Sequence, residues 1–545
     1  MMKKFVPYYS LTVALMLLSG TASLMSQSKG LKTITENELR YHLEFLGARE
    51  FRGRETPSHE LEIATLYIGN WAKHAGLKPL LKDGSFFQKV PLKVIAVSQA
   101  NTKIRVLNKG NENVFYFGKS FGGNFTSDGS FSGIVVFAGS GSVEETGNTD
   151  LRNKIVVIVD EQKPSAGKIS PLLTSRMSER VTRFRDRGAS AVFSIVSPEK
   201  EKRISTAAGF YDYIPTGRLG TMFDSQKTQF SGTSAEPSQQ VRPQLPFAFA
   251  EIDHELASRL LGVTKNEIND FFSEVRAGRN LPLKEYPDLV ARLDVEIETY
   301  QSTSRNVVAF VEGSDPVLKN EYVVICGHHD GRGIDDGEII PAADDNGTAA
   351  VALMEIGQAL LNERPKRSVI LAWVTGEEQG MNGSHYFINN CPVPVEKISA
   401  CLDMDMLGRN NPDSLFLVGS DLLSSELDGA IRKVNKNYGL KMGFDYRYSN
   451  LTHPQRVYFR SDHYPFNRFG IPSVWFFCGF TDDYHTYRDA VENIDYAKFL
   501  KATKLVYLSA MEIGNMKNLL KLDVNPAVTS RGPQNLREAS LFMAK

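Results

Sequence analysis

One stretch constrains this chain more than any other: Tyr322–Leu361, YVVICGHHDGRGIDDGEIIPAADDNGTAAVALMEIGQALL. Val323, Val324 and Ile325 form a short apolar run of the kind that fills a central strand. A polar loop carrying His328, Asp330 and Asp345 follows it. Asn346 and Thr348 then read as helix-start residues, and Ala350, Leu353, Met354, Gly357, Leu360 and Leu361 recur at helical spacing. Carboxylates and imidazoles beside a core strand are costly to bury unless something compensates them. A divalent metal does so well.

The pattern continues on both sides. From Val307 onward, strand-like NVVAFVEG, YVVICGH, SVILAWVTG, ISACLDMDM, SLFLVGS and SVWFFCG alternate with helical segments. The clearest helices are Thr348–Leu361, Glu426–Tyr438 and Tyr496–Met516. Several strands are apolar on both faces, which predicts an α/β fold with a mixed, mostly parallel sheet flanked by helices. Ligands collect at the carboxyl ends of the strands in such sheets. The polar groups do the same: His328 and Asp330 after one strand, Glu377 and Glu378 after the next, Asp405 ending another, and His485 beyond the last.

Taken singly, each signal is weak. A His-x-Asp is usually a surface or capping pair, and an acidic pair is usually a solvated helix start. Their conjunction at strand ends is what carries a metal reading. Mixed His and Asp/Glu ligation without Cys is typical of catalytic zinc. A shared aspartate would hold two ions about 3.5–4 Å apart, the spacing of two-metal hydrolysis. Adjacent glutamates in VTGEEQG suit a division of labour, one on metal and one moving protons. His329, His385, His453 and His463 read as structural or outer-shell groups, and Asp335, Asp336 and Glu338 as solvated loop charges.

The remaining chain sets the context. With 545 residues it exceeds one ordinary core. Lys+Arg and Asp+Glu both number 63, so neither a nucleic acid nor an acidic membrane is an expected partner. Lys3 and Lys4, an apolar run through Leu18 and small residues at Gly20, Ala22 and Ser23 read as a signal peptide over 1–26. The apolar run is shorter than the ~20 residues of a membrane span, so export to the periplasm or the medium is expected, without stable membrane insertion. Residues 34–96 look mostly helical, with a polar loop over 46–58. From about Thr102 to Gly262 the texture is β, with IRVLN, GIVVFAG, KIVVIVD and SAVFSIV. Met222–Arg242 within it reads as a polar loop or lid, and the tail beyond Val524 as loosely ordered. Of four cysteines, Cys326 and Cys478 read as buried small hydrophobes, and a Cys391–Cys401 pair is left open.

The ordered motifs GHHD, AADDNGTA, TGEEQGMNGS, DMDMLG and YHTYRD resemble the co-catalytic dizinc exopeptidases, related to aminopeptidase Y, bacterial leucyl aminopeptidase and glutamate carboxypeptidase. EFRGRETPSHELEIATLYIGNWAKHAGLKP and FFQKVPL look like that family's N-terminal segment, and the β-textured block is similar to a protease-associated domain. The resemblance implies catalytic parts over 33–100 and 263–522, an inserted domain over 101–262 and a tail over 523–545. It implies two Zn2+ per chain, one held by His328 and Asp405, the other by Glu378 and His485, with Asp345 bridging. Asp330 would orient His328, Glu377 would be the general base, and Tyr484 would support the oxyanion; Asp462 and His463 are assigned outer-shell places. The implied reaction is attack of a metal-bridging hydroxide on a peptide, releasing N-terminal residues. The alternatives are a glutamate-carboxypeptidase-like carboxypeptidase or dipeptidase, and a catalytically silent peptide-binding relative. Peptides are the expected partners, and a homodimer is compatible with the sequence.

Overall fold

The computed structural model describes residues 28–161, 175–206, 209–210, 218–221, 247–335 and 337–532. The expected signal peptide, the Met222–Arg242 loop, Asp336 and the last part of the tail lie outside these residues. Contacts divide the chain into two units. One comprises the chain up to Leu92, Thr303–Gly333 and everything from Ile339; the other comprises Lys93–Ser302 and Ile334–Glu338.

The first unit is built on a sheet whose strands are β1 (Phe87–Val97), β2 (Ile297–Val311), β3 (Tyr322–His328), β4 (Ser368–Val374), β5 (Ile398–Met404), β6 (Ser414–Val418), β7 (Gly443–Asp445) and β8 (Ser473–Phe477). Their order is β7-β6-β8-β5-β3-β4-β2-β1. The four central strands β8, β5, β3 and β4 run parallel to one another. Strand β4 is buried at every residue and β3 at all but Tyr322, as two covered faces require.

Helices α1 (Glu36–Leu46), α2 (His59–Ala75), α3 (Thr348–Asn362), α4 (Asn382–Asn389), α5 (Ser425–Asn437), α6 (His463–Arg468) and α7 (Tyr496–Asn515) cover the sheet. Their starts follow local chemistry: Thr35, Ser58 and Asp495 accept from the backbone N–H groups of Glu38, Leu61 and Lys498. Gly76, at φ 96°, ends α2 in a left-handed turn that a side chain would strain. Leu39, Leu43, Ile68, Leu353, Ile356 and Val506 join one core cluster.

Three expectations change. Residues 87–97 form strand β1, alternating buried and exposed, where helix was expected. The chain past Val524 is held as far as Gly532: Val528 is buried, and Arg531 donates to the carbonyls of Ser399 and Leu520. Cys401, in central strand β5, lies 3.4 Å from Cys326 on β3, Sγ to Sγ, and all four cysteines are free.

The second unit has its own sheet, in the order 111–116, 103–108, 284–295, 129–137, 154–159, 191–195, 248–252 and 121–122. Helices His254–Leu261 and Lys265–Arg276 pack on it through Leu256, Leu260, Ile268 and Phe272. Strand Lys284–Val295 pairs with both 103–108 and 129–137, so this unit extends past Gly262.

The polar 46–58 segment contains a buried cation. The guanidinium of Arg54 donates to the main-chain carbonyls of His329, Leu46, Pro341 and Ala342, pinning the two loops that follow β3 and precede α3. Burial lowers its pKa to about 10, against the opposing pull of Asp489, Asp330, Asp345 and Glu378. Arg54→Ala leaves the buried carbonyls of Leu46, His329 and Pro341 unpaired, each costing about 1–3 kcal/mol, while that of Ala342 still accepts from Gly347 N–H. We expect at least about 3 kcal/mol of destabilisation in urea unfolding, with no change in the far-UV spectrum of the folded state.

Candidate active site

The carboxyl ends of β3, β4 and β5 converge on one cavity of about 320 Å³, lined by Asp345, Glu377, Glu378, Asp405, Tyr484 and His485 among others. His328 closes β3; Asp405 follows β5; Glu377 and Glu378 sit in the turn after β4. Asp345 lies in the irregular turn just before α3, whose first helical residue is Thr348. Asn346 acts at the helix start, its Oδ1 accepting a first-turn N–H of α3. Its side chain is buried, accepting from Ala349 N–H and Met406 N–H and donating to the Met404 carbonyl, which ties the turn to the end of β5.

Two donor clusters share Asp345: His328, Asp345 and Asp405 in one, Asp345, Glu378 and His485 in the other. His328 Nε2 is 3.5 Å from Asp345 Oδ1 and 3.5 Å from Asp405 Oδ1. On the other side, His485 Nε2 is 3.0 Å from Asp345 Oδ2 and 3.3 Å from Glu378 Oε2. Ligands about 2 Å from a tetrahedral zinc ion stand roughly 3.3 Å apart, so both clusters fit such an ion. His328 Nε2, Asp405 Oδ1, Glu378 Oε1 and His485 Nε2 are buried atoms with no hydrogen-bond partner among the described residues. Burial opposes charge on both imidazoles, yet Asp405 raises His328 well above its ordinary value, and Glu378 and Asp345 push His485 up to about 10. A field that strong is the one a divalent cation satisfies.

Around the clusters lies a supporting shell. His328 Nδ1 is 3.2 Å from the Asp330 carbonyl and 3.6 Å from its carboxylate, so main chain and side chain of one residue both favour a proton there. The Asp330 carboxylate also accepts from Glu377 N–H at 3.3 Å. Glu377 faces the shared space, with Oε2 3.8 Å from His328 Nε2. Burial pushes its carboxyl well above the usual range, and His328 counters that. Tyr484 stacks on His485 with ring centroids 3.7 Å apart, and its hydroxyl accepts from Arg460 at 3.1 Å.

Of the histidines read as structural, His329 is bridged between Thr65 and the Val374 carbonyl. The backbone N–H of His463 donates to Asp403, and Asp462 accepts from Ser384. Asp335 is exposed, and Glu338 pairs with Arg203.

Four residues escaped the sequence reading. Asp489, in the YRD segment, accepts from the backbone N–H groups of Asp344 and Asp345 at 2.8 and 3.0 Å and so fixes the bridging turn. Ser461 lies within 3 Å of both Asp403 and Asp405, at 2.9 and 2.8 Å. Arg332 and Arg460 line the cavity. The only sequence signal for the first two was their presence within motif segments, and for the arginines there was none.

Residues 306–510 match the model of peptidase family M28. Leucine aminopeptidase 2 of Trichophyton rubrum is 26% identical over 330 residues, covering 54% of this chain and 63% of that protein. Leupeptin-inactivating enzyme 1 of Streptomyces exfoliatus is 31% identical over 193 residues, covering 34% of this chain and 38% of that one. The chain thus spans less than two thirds of either relative. The fold is that of two solved structures. The aminopeptidase of Aneurinibacillus sp. strain AM-1 has a TM-score of 0.52 at 16% identity, over 90% of this chain and 96% of that one. The zinc aminopeptidase of Bacillus subtilis has a TM-score of 0.52 at 15% identity, over 89% and 97%. The stretch that matches the model of peptidase family M28 is thus the one that builds β3, β4, β5, β8 and the loops holding both donor clusters.

Proposed function

We propose that this protein is an exported two-zinc exopeptidase that removes amino-terminal residues from peptides. The observation that carries the reading is the pair of donor clusters sharing Asp345, with Glu377 facing the same space. His328 and Asp405 would hold one ion, Glu378 and His485 the other, with Asp345 shared between the two clusters. When bound, the two ions supply Lewis acidity to the scissile carbonyl and acidify water toward a pKa of roughly 7.

The chain's own groups do the rest. Asp330 keeps the His328 proton on Nδ1, leaving the Nε2 lone pair for the metal. Glu377 takes a proton from the attacking water and returns it to the leaving amine. Because Arg460 donates to the Tyr484 oxygen, the tyrosine proton is free to be given to the developing oxyanion. Tyr484→Phe is expected to lower kcat by about 10²–10³-fold while KM stays within a few-fold, in steady-state assays.

Aminopeptidase activity is taken from what the relatives' names say of those proteins. A second reading has its own support. Arg332 and Arg460 on the cavity wall suit a substrate carboxylate, as a carboxypeptidase or dipeptidase of the glutamate-carboxypeptidase type would need. A panel of free-amine and N-blocked dipeptides, with and without chelator, decides between them. Chelator-sensitive release from free-amine substrates supports the aminopeptidase; cleavage of N-blocked substrates alone supports the carboxypeptidase. Among the described residues no helix is long and apolar enough to cross a membrane, and export rests on the basic and apolar start of the sequence. The unit over Lys93–Ser302 is proposed as the protease-associated-like inserted domain.

A further inference from the structure

Away from the cleft, α1 and α3 bring Glu38, His42 and Glu355 together, with one ligand atom of each within 4.8 Å of the others. Glu38 and His42 are four residues apart on α1, hence on one face of it. Glu355 comes from the middle of α3, ten residues past Asp345. It is the anomaly of this helix pair. Its residue is 1% exposed, and neither carboxylate oxygen has a hydrogen-bond partner among the described residues. Buried carboxylates are nearly always satisfied, because an unpaired one forfeits its hydration with nothing in return.

The neighbouring imidazole does not resolve this as an ion pair. His42 Nε2 stands 3.8 Å from Glu355 Oε1, beyond hydrogen-bond range, and burial lowers the pKa of His42, so the ring is neutral. Burial, aided by Glu38, pushes Glu355 up to about 8. The other ring nitrogen, Nδ1, lies 2.8 Å from the Tyr67 hydroxyl. With its proton on Nδ1 and donated to that oxygen, His42 presents a bare Nε2 lone pair toward Glu355. A histidine with one nitrogen tied to a partner and the other turned to a carboxylate pair is the usual form of a metal ligand.

We propose that Glu38, His42 and Glu355 form a further divalent-cation site, separate from the catalytic cleft, that takes zinc or a similar borderline transition ion. Two carboxylates and one imidazole supply three ligands, and Glu38 at the surface leaves water to complete the coordination. The ion would satisfy the Glu355 carboxylate and tie α1 to the helix that follows the Asp345 turn.

The test uses the full-length protein, stripped with chelator, reloaded with Zn(II), desalted and counted by mass spectrometry. Glu38→Ala, a surface change that leaves the core intact, should retain one zinc ion fewer per chain than wild type, with turnover unchanged. Glu355→Gln should show the same loss. The result is a difference between variant and wild type, so it does not depend on how many ions the cleft holds or on what it hydrolyses. An unchanged count in Glu38→Ala overturns the site, whether or not Glu355→Gln folds. Zinc-edge anomalous diffraction should place the lost ion between the three side chains; a peak confined to the cleft overturns it equally.

Discussion

Glu377→Gln is expected to lower kcat by about 10²–10⁴-fold, the range that a positioned general base contributes. The amide keeps the size and burial of the side chain but cannot take a proton. Glu377 belongs to neither donor cluster, so zinc content should match wild type. Its backbone N–H still donates to Asp330, so the turn after β4 should hold its shape. The expected pattern is therefore kcat lost, KM and metal retained. Turnover within a few-fold of wild type would sink the proton-transfer role, and would equally remove the case for hydrolysis at this cleft. Loss of turnover with retained peptide binding also separates an enzyme from a silent peptide-binding relative, in which the substitution would change nothing.

That the candidate residues come together was more legible in the sequence than the fold around them, for a physical reason. His328, Asp405, Glu377 and Glu378 each sit at the end of a strand so apolar that its period is unmistakable, and the ends of parallel strands are adjacent by construction. Asp345 could be found because the loop that holds it abuts the helix after β3. Strand β1 was not legible: FFQKVPLKVIAV alternates in burial, but its apolar residues follow a helix and extend that helix's pattern on paper. Arg54 lies in the polar 46–58 segment with nothing beside it in sequence to single it out. Its burial depends on four carbonyls from three separate segments, a long-range arrangement with no local signature. Asp489 hid in the same way, since its partners are backbone N–H groups at Asp344 and Asp345. Glu355 lay in plain sight on a helical face, and only its packing against α1 shows that neither oxygen has a hydrogen-bond partner among the described residues.

The shared aspartate makes the second large prediction, because two ions bound in these clusters would not be independent. Two doubly charged ions about 4 Å apart repel by roughly 16 kcal/mol at an effective dielectric of 20, four times the value for unit charges. A carboxylate between them would offset this. Asp345 turns Oδ1 toward His328 and Oδ2 toward His485, so one side chain would serve both clusters. Asp405 would serve one, facing His328 through Oδ1. Asp405→Asn should therefore cost one zinc ion and leave the His485 side occupied. Asp345→Asn keeps the backbone bond to Asp489 but presents an amide N–H₂ to one of the two ions and no net charge to either. It should strip or greatly weaken both, and lower turnover by about 10³-fold or more, the equivalent of roughly 4 kcal/mol of lost transition-state stabilisation. Metal counts on desalted protein, set beside kcat for each variant, read both effects. Equal counts in the two variants would mean that Asp345 serves one ion only, and the pairing of the two donor clusters would then have to be redrawn around another ligand.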